Sequence, residues 1–150
     1  MGEFGRALLG ASLFMTACAA EVAAEPGWAV EGMEIPKPLT NEPGNPDRGK
    51  RIVRNAANAT CLICHAMPIP EEPDHGTLGP PLHGIGGRMS EGEIRLRLVD
   101  PKRINPETIM PAYFRTEGLY GVDDPYRGKT IYTAQEVEDV VAYLMTLKKD

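Results

Sequence analysis

NATCLICHAMP, residues 58–68, is the stretch on which the reading of this chain turns. Cys61 and Cys64 stand three apart, and His65 follows directly. Two thiols and an imidazole placed so closely can serve a zinc ion, a redox dithiol, or a porphyrin held through thioether bonds. The rest of the chain discriminates among the three.

A closed zinc site needs four ligands, and Cys61 and Cys64 supply two. The remaining candidates are His65, His75 and His83, but His75 and His83 lie outside the H-x₃₋₅-H spacing and no second CxxC is present. A thioredoxin-like dithiol expects a βαβ setting with the cysteines at a helix N-terminus. Here the predicted helix precedes the cysteines, and no alternating strand pattern surrounds them. Haem needs two thiols for its vinyl groups and a histidine that reaches the iron. C-x-x-C-H brings all three to one point, so haem c is the expected cofactor.

The N-terminus supports that choice. "ALLGASLFMTACAA" (residues 7–20) is an apolar run too short to span a bilayer and suited to the core of an export signal. Cleavage is expected after Ala19 or Ala24, which makes residues 1–24 a leader and places the mature chain in the periplasm. Cys18 then leaves the folded part, and a pair as close as Cys61 and Cys64 would staple almost no loop as a disulfide. The thiols have another task.

Composition narrows the class further. The 150 residues carry a formal net charge of -5 with acids and bases intermixed, so no basic face for nucleic acid is expected. Sixteen glycines and 14 prolines are many for a helical domain and predict long ordered loops around few helices. Residues 25–46 contain five prolines and no periodicity, and read as an extended arm. It is either a flexible linker to the domain, which spans 47–150, or, through its apolar Trp28, Val30, Met33 and Ile35, a segment laid along a partner or across the domain itself.

Helices are predicted from Asp47 as N-cap, over "SEGEIRLRLVD" with a Ser90–Glu93 capping box, and over "TAQEVEDVVAYLMTLKK" with a Thr133–Glu136 capping box. In the last, Val137, Val140, Val141 and Leu144 follow the helical repeat, and Lys148 and Lys149 favour its C-terminal dipole. The fold class is therefore all-α, a few helices with long loops around one haem that completes a modest core. For the sixth iron ligand, Met67 is too close to the attachment site and Met145 sits inside a helix. Met110, in the proline-flanked "NPETIMPAY", is the expected partner of His65, with His75, His83 and Met89 as alternatives. A His/Met pair gives a raised potential and leaves no open position for substrate, which favours electron transfer.

"GPPLHGIGGR" resembles the loop that follows CxxCH in class I cytochromes c. The resemblance implies that the Pro80 carbonyl accepts the Nδ1 proton of His65 and that Arg88 lies near a haem propionate. It further implies that Gly49 and Tyr143 meet where the first and last helices cross, and that His83 is a loop residue. Together with "NPETIMPAY" and "YTAQEVEDVVAYL", these residues make the chain similar to the SoxX family, the mono-haem subunits of SoxAX complexes. Membership implies a SoxA-like cytochrome partner in a heterodimer and a SoxY-type carrier whose cysteine is joined to thiosulfate. It also implies a small acceptor cytochrome for the electrons. The haem motifs alone fit a free-standing diffusible carrier equally well.

Overall fold

The computed structural model describes residues 27–58 and 61–148. The expected leader, with Cys18, and Lys149 lie outside the described residues. Four α-helices carry the architecture: α1 (Pro46–Arg54), α2 (Ile85–Arg88), α3 (Glu91–Val99) and α4 (Ala134–Thr146), joined by long loops with single 3₁₀ turns. Among the described residues the only β pairing is an isolated bridge between Glu31 and Glu34.

Each helix starts for a local reason. α1 begins two residues earlier than the aspartate cap predicts: the Asn45 side chain accepts from the Arg48 amide at 3.0 Å, and Pro46 occupies the first turn. Proline suits that position because its missing N–H would have no helical partner there. α3 and α4 start on the two capping boxes, Ser90 with Glu93 and Thr133 with Glu136. The short α2 falls within a stretch read as loop. Gly84 enters it at φ 63, and Gly86 packs so tightly on the end of α4 that its N–H reaches Leu147 O at 2.9 Å. Tertiary docking, not helix propensity, makes that turn.

α1 crosses α4 at Gly49. A Cβ there would stand 2.0 Å from Asp139 O and 2.7 Å from the Tyr143 Cβ. Gly44 makes the same kind of approach to Glu138 O. Val53, Val137, Val140 and Val141 fill the crossing, with Leu96 and Val99 of α3 behind them.

The arm lies across the domain. Ile35 is fully buried, its amide donates to Gly92 O at 3.0 Å, and its carbonyl accepts from Arg95 Nη1 at 2.7 Å. Arg95 is 1% exposed and forms a two-bond ion pair with Glu138, itself 5% exposed. Glu138 Oε1 also accepts from the Leu39 amide. One buried ion pair thus fastens the arm to α3 and α4 together. Of the arm's other apolar residues, Trp28 packs against the core while Val30 and Met33 remain exposed.

Candidate functional site: the CxxCH turn and its surroundings

The chain leaves α1 at Asn55 and tightens into a 3₁₀ turn over Cys61–Ile63. The Cys64 and His65 amides both donate to Cys61 O, at 3.1 and 2.9 Å, which closes the motif on itself. Cys61 is buried and Cys64 half-buried, and both are free thiols. Burial, with the neighbouring Cys64, pushes the Cys61 thiol up to about 11.

His65 is oriented by the following loop. Its Nδ1 lies 2.7 Å from Pro80 O, a donor–acceptor pair that leaves Nε2 as the nitrogen available to a metal. Gly79 presses on the ring, and a Cβ there would stand 2.3 Å from Cε1. The loop is itself tied to the motif, with Gly79 N on Cys64 O at 2.8 Å and Gly76 N on Leu62 O at 2.8 Å. Arg88 turns onto the same loop, where its guanidinium donates to His83 O and to Pro81 O.

Met110 stands half-buried between Ile109 and Pro111, its amide donating to Thr108 Oγ1 at 3.2 Å. It lines a cavity of about 970 Å³ whose walls run from Ala57, just before the cysteine turn, to Ile131. Met89 caps the end of α2 and packs against the core, and Met67 is fully buried. His75 Nδ1 accepts from the Met67 amide at 3.2 Å.

Two of the three readings of the cysteine motif need surroundings that the described residues do not supply. No group of three or more His, Cys, Asp and Glu is placed to hold a metal ion, and the cysteine turn adjoins no sheet. Haem fits. Two unpaired thiols sit on one turn, an imidazole is held by one nitrogen, and Gly79 leaves no Cβ to displace the ring.

The family model for cytochrome c matches residues 46–148. The chain belongs to the cytochrome c family. Among solved structures it is similar to "Crystal structure of SoxXA from P. pantotrophus", at 36% identity and a TM-score of 0.71. That match covers 81% of this chain and 95% of the other. A search of curated proteins finds no significant match. The chain is thus a SoxX-like cytochrome with the all-α class I cytochrome c fold, and it carries covalently bound haem c.

Some residues of this site carry no clear sequence signal. Gly79 opens the GPPLHGIGGR loop, but nothing in that string shows that its backbone meets the His65 ring. Tyr132 sits one residue before a helix cap, and nothing local shows that its ring stacks on Tyr113.

Proposed function

We propose that this cytochrome is the electron-transfer subunit of a SoxAX-type complex in the periplasm, an L-cysteine S-thiosulfotransferase. Its place there is beside a SoxA-like haem subunit. The observation that carries the reading is the 36% identity to the SoxXA chain over 95% of that chain's length. Joining thiosulfate to a cysteine of a SoxY-type carrier releases two electrons. Haem iron, alternating between ferrous and ferric, supplies one-electron chemistry of the kind needed to relay them to a small acceptor cytochrome.

The chain's own residues divide the work of holding that group. Cys61 and Cys64 are the attachment thiols, so the sulfur chemistry falls to the partner subunit. His65, kept in one tautomer by the Pro80 carbonyl, would offer Nε2 to the iron, and Met110, stiffened by Pro111 and by its bond to Thr108, would offer its thioether sulfur. Arg88, fastened to the loop of Pro81 and His83, brings its positive charge to the edge where a propionate would lie.

Met110→Ala is expected to retain covalently attached haem, to lower the midpoint potential and to abolish the sulfur-to-iron absorption band at the red end of the spectrum. An unchanged spectrum would reassign the ligand to His75, His83 or Met89. Native mass of the protein isolated from the periplasm, with a haem count, tests the assembly. A complex with a larger haem-bearing chain supports the thiosulfate enzyme, whereas one haem on a lone mature chain supports a diffusible carrier.

A further inference from the structure

Met110 rides on a loop that leaves the end of α3 and comes back to it. The Asn105 amide donates to Pro101 O at 3.0 Å on the way out, and the Tyr113 amide to Leu98 O at 2.9 Å on the way back. The base of the loop is firmly set. Pro101 is buried, and Asp100 beside it is 2% exposed and accepts twice from Arg115 Nη1, at 3.0 and 3.1 Å. Further along, Thr108 N reaches Asn105 O at 3.1 Å, Glu107 N reaches Asn105 Oδ1 at 3.1 Å, and Met110 N reaches Thr108 Oγ1 at 3.2 Å. These bonds give the loop its shape without joining its middle to the base.

Lys102 makes that join. It belongs to the 3₁₀ turn Pro101–Arg103, and its Nζ donates to Pro106 O at 3.2 Å and to Thr108 O at 2.9 Å. The two carbonyls lie four and two residues before Met110, and Lys102 and Met110 line the same cavity. An ammonium suits the task, since its three donors on one point charge reach two carbonyls set at different angles. Lys102 is exposed, so these bonds add little to the stability of the fold. What they restrain is the loop.

We infer that Lys102 is a positioning residue for Met110: its ammonium clasps the loop to the end of α3 and keeps the thioether sulfur in place for the iron. The inference rests on Met110 being the sixth ligand. A neutral thioether binds without the help of charge, so the stiffness of its loop governs how often it lets go.

Imidazole added to the ferric holoprotein reads that release, because it takes the iron only after the sulfur leaves. Lys102→Met keeps the length of the stem and removes the donors. At saturating imidazole it should bind about tenfold faster than wild type, the low end of what the partners of a metal ligand contribute. Lys129→Met is the control. Lys129 lines the same cavity, but its Nζ donates to Pro125 O at 2.9 Å, so this variant removes an equal charge without touching the Met110 loop. Its imidazole rate should match wild type. An unchanged rate in Lys102→Met overturns the clasp, and so does an equal acceleration in Lys129→Met, which would show that charge alone acts. If Lys102→Met does not fold, NMR of the ferrous wild-type holoprotein decides, through the coupling across the hydrogen bond between Lys102 Nζ and the Thr108 carbonyl carbon. Its absence overturns the proposal. A wild-type ferric spectrum without the sulfur-to-iron band would instead overturn the Met110 reading, and the clasp with it.

Discussion

His65 is held by one ring nitrogen and pressed on one face, and both restraints come from consecutive residues. The Pro80 carbonyl takes Nδ1 at 2.7 Å, and the Gly79 backbone occupies the space where any side chain would strike Cε1. A ligand held in this way loses little freedom on binding a metal, because orientation and tautomer are set in advance. Gly79→Ala places a Cβ about 2.3 Å from Cε1, so the ring or the loop must give. Overpacking of this kind costs about 1–3 kcal/mol. We expect a lower melting temperature together with a perturbed haem spectrum, whereas a stability loss with an unchanged spectrum would show that the loop had moved and the ring had not.

At the scale of elements, the crossing of α1 and α4 is closed by sterics at Gly49 and by charge at Asp139. Burial works to raise the Asp139 carboxyl. The Arg48 guanidinium, with Nε 2.6 Å from Oδ2, and the Asn45 amide at 2.7 Å outweigh it and hold the group below the usual aspartate range. Since the folded value lies below the unfolded one, the carboxylate's contribution is complete above about pH 4 and is lost as pH falls through the lowered folded value. Melting temperatures of wild type and Asp139→Asn should therefore differ most at neutral pH and converge toward pH 2–3. A gap that stays constant with pH would mean that the ion pair contributes nothing and that Asn disrupts packing alone. The capping boxes of α3 and α4 were legible in sequence, because each is a contact between residues three apart. The start of α1 was legible to within two residues. α2 was not, since what forms it is the backbone of Leu147 from the far end of the chain.

For the whole molecule, the fastening of the arm is the decisive feature. The Arg95–Glu138 pair lies inside a core with few aromatics, and it holds two backbone groups of the arm, Ile35 O and Leu39 N. Glu138→Ala leaves a buried guanidinium without its carboxylate and should cost about 3–5 kcal/mol, read as a lower urea midpoint. The double variant Arg95→Met, Glu138→Leu removes both charges and should recover most of that loss. A double variant as unstable as the single one would show that the arm's backbone bonds, rather than the stranded charge, carry the energy. The arm also leaves Met33 and Val30 facing outward while Ile35 turns in, so one segment contributes to the core and to the exterior surface.

What the sequence determined by itself was whatever depends on residues close together. The thiols and imidazole of the cysteine motif, the two capping boxes and the valine stripe of α4 could all be read directly, because a few bonds of covalent chain already place them. The absence of helix from residues 27–45 was equally readable from their prolines. Which way the arm would turn was not, and neither were the burial of Arg95 against Glu138 and the docking of α2. Those are meetings of residues 40 or more positions apart. Only the packed tertiary structure decides them, because burial gives each its partner and removes water as the alternative.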